Sequence, residues 1–335
     1  MIKEKMKKGS ILIIALVLVL TVCILPQVNA ATGVENDRKD CAIEIDVSRY
    51  GLKELSGEES LPVTVNLYKV ADVSVEGKYF AVTGFEALDF SKLSHKTTAD
   101  EWADLAELAK AKVDTDKPAV TAVGITENGS VTIDDLVAGL YLVDAQQVTS
   151  NYYQYNFTPY LVSLPNNYYY HGGEDEWVYQ LTGDNAIGLK PEKTDRYGNL
   201  IINKELDVYN ETIGGANFVF QIEGTKTDID TGAVKVVYSD VVSMTFNGYG
   251  SDRIKIEHIP AGSEIVVTEV YSGSSYELTS EGLQTVIIEV EEDAEVYFSN
   301  TFNEHLNGGT GLVNSFAYNS ENGEWTHSAS VDSTP

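Results

Sequence analysis

The sequence predicts an all-β chain of two tandem β-sandwiches, the first interrupted by one helix. Three observations carry that expectation. Apolar and polar residues alternate at strand period through most of residues 42–303. One stretch, opening at Thr98-Ala-Asp-Glu101, has a helix-start signal followed by a helical apolar stripe. An apolar residue, a spacer and Ala-Gly introduce an apolar strand twice, at Leu136-Val-Ala-Gly139 and Ile259-Pro-Ala-Gly262, as two divergent copies of one unit would. The predicted division is a 1–30 signal peptide, a 31–192 first sandwich, a 193–304 second sandwich and a 305–335 Gly/Asn/Ser-rich tail.

The leader has basic residues from Lys3 to Lys8, an apolar run Ile11–Leu25 and the small-residue cleavage site Val28-Asn29-Ala30. That order is a secretory signal, so the chain is expected outside the cell. Cys23 lies within the apolar run after Val22, where a lipid-attachment site would need a small residue. The exported chain keeps Cys41 alone and therefore has no intrachain disulfide to stiffen it. A formal net charge of -28 excludes a nucleic-acid partner, which needs a basic footprint. Removing Lys3, Lys5, Lys7, Lys8 and Glu4 with the leader makes the chain more acidic still.

Residues 31–40 read as a polar lead-in. Strands follow at Ile43, Ile45 and Val47 and at Val63–Val70. The helix carries Trp102, Leu105, Ala106, Leu108 and Ala109 on one face, which makes Trp102 a core residue. Asn128-Gly129 is a hairpin turn between Val120–Ile125 and Val131–Ile133. In the next strand, Leu136–Val143, Tyr141 points inward if it matches Ile265 of the second copy. Ala145 then stands where that copy has Glu269, and Asp144 falls on the opposite face. The first strand offers Ser48 and Arg49 where a lysine would be needed, and Lys69 is the remaining lysine to place. Seven tyrosines crowd residues 152–170. They read as half-buried strand aromatics or, at Tyr168, Tyr169 and Tyr170, as a surface for a host or matrix glycan or protein.

The second copy holds three polar residues where a sandwich keeps apolar ones. Lys204 shares strand phase with Leu200, Ile202, Leu206 and Val208; Glu269 with Ile265, Val267 and Tyr271; Asn300 with Val296, Phe298 and Phe302. A lone buried ammonium or carboxylate costs several kcal/mol, so such groups must pair, neutralise or react. In an apolar core lysine is pushed toward its neutral amine and glutamate toward its protonated acid. The amine can then attack the Asn300 carbonyl, polarised by the Glu269 acid, with loss of ammonia. The alternative is a buried Lys204–Glu269 ion pair with Asn300 as a hydrogen-bonding neighbour.

Ile202-Asn-Lys204, Pro260-Ala-Gly262-Ser-Glu-Ile-Val-Val-Thr-Glu269 and Val296-Tyr-Phe-Ser-Asn300-Thr301 resemble the Cna protein B-type and streptococcal-pilin isopeptide-linkage domains. Lysine, glutamate and asparagine match that pattern at all three positions. The resemblance implies immunoglobulin-like sandwiches and an autocatalytic Lys204–Asn300 isopeptide bond assisted by Glu269. Phe157-Thr-Pro159-Tyr-Leu161-Val-Ser163-Leu-Pro165, Trp177-Val-Tyr179 and Lys190-Pro191 resemble the end of the N-terminal domain in Gram-positive backbone pilins. There a lysine at the domain junction accepts the next subunit from a sortase, which implies Lys190 or, second, Lys193. This chain has Pro191 after the lysine rather than before it, and the family's Leu-Pro-x-Thr-Gly sorting pentapeptide does not occur in the sequence.

Asp228-Ile-Asp230-Thr-Gly232 lacks the closing glutamate of a calcium loop and lies between two strand-like runs, so it reads as a hairpin turn, with no metal or cofactor expected. No H-E-x-x-H or G-x-S-x-G motif is present, so no turnover enzyme is expected. The leading expectation is an exported Gram-positive pilus subunit whose partners are other pilin subunits and a sortase. The alternative is an ancillary adhesin that grips its ligand through the Tyr-rich half.

Overall fold

Val, Ile, Phe and Tyr at alternate positions cover one face of an extended chain with apolar surface, which is buried by laying two such faces together. The computed structural model describes residues 33–94, 96–167, 177–212, 214–305, 311–319 and 324–332, and the fold is all-β with one α-helix. No helix among the described residues is long and apolar enough to cross a membrane.

In the first body, strand Thr64–Val73 is central to a sheet with Tyr79–Ala81, Gly139–Ala145, Tyr160–Leu164 and Ala122–Ile125. Cys41–Asp46 pairs with Ser130–Leu136 and Gln180–Leu181 in a second sheet. The core between them takes Ile43, Ile45, Val65, Leu67, Tyr141 and Val143. Val34 is buried as well, so the polar lead-in is tied down by its N–H bond to Val75. Asn128 and Gly129 have φ of 53° and 89°, and Glu127 and Ser130 exchange backbone hydrogen bonds around them. The two strands then part, one joining each sheet.

The helix, α1 (Ala99–Asp116), starts on a complete capping box: the Thr98 hydroxyl accepts from the Glu101 N–H, and the Glu101 carboxylate accepts from the Thr98 N–H. It covers the outer face of the first sheet, burying Ala106, Ala109 and Val113 against Tyr68, Val70, Leu140 and Leu142. Trp102 packs edge-on to Tyr79 with ring centroids 6.4 Å apart. Leu108 departs from the expected stripe and is exposed, because the buried line runs through 106, 109 and 113, which leaves 108 off it.

The second body is a sandwich of two four-stranded sheets. One has the order Gly250–Pro260, Tyr197–Leu206, Asp293–Phe302, Tyr276–Leu278; the other Val234–Phe246, Ala216–Thr227, Glu264–Tyr271, Leu283–Ile287. Its first and last long strands are parallel neighbours, with Lys204 beside Phe298 and Leu206 beside Asn300. Leu200, Ile202, Phe218, Phe220, Val267 and Phe298 fill the core. Val208 lies beyond the end of its strand and is half exposed, against the alternation expected of it.

Residues 311–319 and 324–332 pair as an antiparallel hairpin in unbroken register from Gly311–Asp332 to Asn319–Glu324. This hairpin falls within the stretch expected as a Gly/Asn/Ser-rich tail. Val313, Phe316, Tyr318, Trp325 and Val331 among its Gly, Asn and Ser residues supply strand propensity.

The strand Pro191–Asp195 pairs with Tyr153–Phe157 along its whole length, and the chain passes to the second body at Arg196. Two ion pairs brace the passage. Lys193 Nζ meets Asp230 at 2.6 Å and Lys226 Nζ meets Asp195 at 2.6 Å, and the ring of Tyr153 lies between the two amines at 4.0 and 4.1 Å. Asp230 also accepts from the Lys53 N–H, so the Asp228–Gly232 segment is a hairpin turn docked on the first body. Gly262 has φ of +80°, and a Cβ there would lie 2.9 Å from the Tyr152 ring, which explains the glycine of the Pro-Ala-Gly phrase. In the other copy, Gly139 is required because a Cβ would lie 2.7 Å from the Ala71 carbonyl oxygen. Asp230→Ala removes one ion pair and one backbone acceptor in a mostly buried setting. We expect a loss of roughly 1–2 kcal/mol and faster tryptic cleavage at Lys193 and Arg196; an unchanged cleavage rate would show that the brace does not hold the joint.

Candidate functional site

Three strands bring Lys204, Glu269 and Asn300 to one point in the core of the second sandwich. Lys204 and Asn300 come from the neighbouring parallel strands, and Glu269 from the facing sheet. Each sits on the inward phase of its strand, so the alternation that buries Ile202, Val267 and Phe298 buries them too. The side chains of Lys204 and Glu269 are 0% and 1% exposed, and Asn300 is fully buried.

The Lys204 amine lies against Asn300 Oδ1, 3.2 Å from Glu269 Oε2 and 4.4 Å from the centre of the Phe218 ring. Asn300 Nδ2 donates to Glu269 Oε1 at 2.8 Å. The other carboxyl oxygen, Oε2, is buried and makes no well-formed hydrogen bond among the described residues. The Lys204 amine is that oxygen's one charged neighbour, so passing the proton from amine to carboxyl exchanges a buried ion pair for two neutral groups, which the apolar core favours. Burial lowers the Lys204 pKa below the ordinary lysine value and raises that of Glu269 above the ordinary carboxylate value, while the attraction between the two opposes both shifts. The expected acid-to-carbonyl bond is not the one present: the amide nitrogen of Asn300, the leaving group of an acyl transfer, faces the acid. A half-turn of the carboxamide leaves its shape unchanged and exchanges the two contacts.

The other lysines divide by environment. Lys190 is exposed, with its amine 5.3 Å over the Tyr160 ring, just before the strand that leaves the first body. Lys193 is 17% exposed and engaged with Asp230 and Tyr153. In the first body, Tyr141 and Ala145 face the core and Asp144 the opposite face. No carboxylate therefore stands where the second body has Glu269, and Lys69 pairs with the exposed Asp72 at 2.7 Å. Ser48 and Arg49 lie in a short 3₁₀ turn after the first strand. Tyr153 and Tyr155 are buried, with the Tyr155 hydroxyl donating to Glu54, so these tyrosines are structural. Tyr168, Tyr169 and Tyr170 lie outside the described residues.

Two contributors escaped the sequence reading. Phe218 forms the wall under the Lys204 amine, a contact that only the folded arrangement reveals. Lys226 is 7% exposed at the joint, yet it stands in the inward phase of Phe218, Phe220, Ile222 and Gly224, so the alternation that found Lys204 could have found it.

Residues 200–303 match a family described as a domain of unknown function (DUF5979). No curated protein matches the chain. Among solved structures, the chain is similar to GBS52, the minor pilin of Streptococcus agalactiae, at 16% identity over 80% of this chain and 99% of that one, with a TM-score of 0.23. It is similar to the full-length major pilin SpaD of Corynebacterium diphtheriae at 12% identity over 81% and 99%, with a TM-score of 0.26. It is also similar to a streptococcal ancillary pilin at 11% identity over 86% and 80%, with a TM-score of 0.26. At such scores the likenesses carry no weight for function, which has to come from the buried triad.

Proposed function

We propose that this chain is an exported structural subunit of a Gram-positive cell-surface fibre of the pilus type, whose second sandwich closes on itself through a Lys204–Asn300 isopeptide bond. The observation that carries this reading is the meeting of an amine, a carboxyl group and a carboxamide in a core where, among the described residues, none of the three has solvent or a charged partner outside the triad. Glu269 moves the proton. The neutral Lys204 amine attacks Cγ of Asn300, the Nζ–Cγ bond forms, and a proton of the amine passes through the carboxyl group to Nδ2. The Cγ–Nδ2 bond then breaks, ammonia leaves, and Glu269 is again protonated. One turnover is made per molecule, so the chemistry is maturation rather than enzymatic activity.

A core linked in this way suits an exported chain whose one described cysteine, Cys41, is free and buried. Lys190, exposed at the exit from the first body, is the lysine we assign as acceptor for a sortase joining subunits; Lys193 is occupied by its ion pair. The test is the intact mass of residues 31–335. The wild type should be lighter than its sequence by one ammonia, whereas Lys204→Ala and Glu269→Gln should have their full calculated masses. Glu269→Gln keeps the shape of the site and an oxygen to accept from Asn300 Nδ2, but loses the contact of Oε2 with the Lys204 amine and cannot shuttle a proton. A wild type of full mass would end the cross-link reading and leave the triad as a buried polar network.

A further inference from the structure

The register of the C-terminal hairpin sorts its residues by face. Leu312, Phe316 and Tyr318 share one face with Trp325, Ala329 and Val331, whereas Val313, Ser315 and Ala317 share the other with Thr326, Ser328 and Ser330. The first face has Phe316, Tyr318 and Trp325 and no carboxylate; the acids Glu324 and Asp332 fall on the second. The hairpin is a two-stranded sheet of its own, joined to the sheets of neither sandwich. A lone two-stranded hairpin is at best marginally stable in water, so a ribbon with one apolar face needs something laid against it.

A second apolar surface is also uncovered. In the second sandwich Val236, Thr225, Glu264 and Ile287 stand side by side across four strands, and Val234 pairs with Thr227 next to them. These positions alternate with the core residues Ile222 and Ile265, so they form the outer face of that sheet. Val234, Val236 and Ile287 are 65%, 48% and 45% exposed. Single exposed aliphatics need no explanation, but three gathered on one sheet face mark a contact surface. At its joint end this face meets Tyr152 of the first body, and together with Ile229 they line a cleft of about 560 Å³. The hairpin does not cover this face within one chain, since Val234 and Ile287 are exposed with the hairpin present.

Charge narrows the occupant. The chain has a formal net charge of -28, so copies repel one another over most of their surface. The apolar face of the hairpin has no acid, and the cleft has Glu264 as its carboxylate, with the Lys226 amine spent on Asp195. Two copies can touch here without setting acid against acid. An anionic lipid surface is disfavoured by the chain's own charge, and a basic peptide finds no acid on the hairpin face. We propose that the apolar face of the 311–332 hairpin of one copy docks on the joint-side cleft of a second copy. The two halves of this contact are different surfaces, so it repeats along a row of copies instead of closing on a pair. The proposal rests on the fibre reading for its setting and is independent of the cross-link. A ribbon two strands wide and nine residues long covers roughly 300 Å², against ~800 Å² a side in a standard interface. The contact is therefore weak between free copies and gains strength where copies are joined covalently.

The test is sedimentation equilibrium of the exported chain, residues 31–335, up to millimolar protein. The average mass should rise with concentration and pass that of a dimer. Phe316→Ser with Trp325→Ser removes the hairpin half of the contact, and Val234→Ser with Ile287→Ser removes the cleft half. Each double variant should associate roughly tenfold more weakly or less, as loss of two apolar anchors implies. Val234 and Ile287 lie outside the core, so the cleft variant should melt as the wild type does. An equimolar mixture of the two variants should regain association and stop at a one-to-one dimer, because each supplies one intact half. A wild type that stays monomeric overturns the proposal, and a lower melting temperature of the cleft variant would then place the hairpin on its own chain. A wild type that stops at a dimer, or a mixture that stays monomeric, overturns it as well. None of these outcomes depends on whether the chain has lost ammonia, so this contact and the cross-link fail separately.

Discussion

Glu269→Gln should lower the melting temperature of the second sandwich by roughly 20–30 °C. Lys204 and Asn300 are separated by 96 residues, so the proposed bond would close a loop that spans nearly the whole sandwich. Cross-linking a loop of that length stabilises by about 4–5 kcal/mol through the unfolded state alone, and a domain of this size shifts by about 4–8 °C per kcal/mol. Lys204→Ala should melt lower again, because it also empties the core space filled by the fully buried lysine side chain, a large-to-small defect of about 2–5 kcal/mol. The double variant Lys204→Met with Glu269→Leu distinguishes the two contributions. It removes both buried ionisable groups, so it should melt above Lys204→Ala but still well below wild type. Calorimetry of the four proteins provides the measurement. Equal melting of wild type and Glu269→Gln would mean that no covalent bond stiffens the core.

Under tension the difference becomes a matter of length. The first and last long strands of the second sandwich are parallel neighbours, so a pull applied at Arg196 and beyond Phe302 shears their ladder. In the linked protein the load passes from Lys204 to Asn300 and never reaches the chain between them. Single-molecule stretching of the wild type should therefore lack the unfolding step of the second body. Glu269→Gln should show it, releasing roughly 330 Å of chain, about 3.4 Å for each intervening residue. A wild type that unfolds with the same gain in length as the variant would sink the mechanical role, whatever its mass.

The strand pattern, the helix and the triad were legible in the sequence for one reason. A strand's side chains alternate strictly between its two faces, so a lysine, an acid and an amide in the phase of Ile202, Val267 and Phe298 had to point where those residues point. The capping box was equally local, since both of its hydrogen bonds fall within four residues. Where alternation weakened, the reading did too. Val208 is expected in a strand that ends before it, and Leu108 in a stripe it misses.

The sequence by itself determined which residues are buried together in kind: two sandwiches, and one core holding three groups that cannot remain as they are in water. Tertiary structure decided which atoms meet. It turned the Asn300 amide nitrogen toward Glu269, set Phe218 beneath the amine, and withdrew Lys193 into a pair with Asp230. Phase along a strand is fixed by local backbone geometry, but the partner across a sandwich depends on register and on how two sheets stack. Those are set by contacts between residues scores of positions apart, which no local pattern encodes.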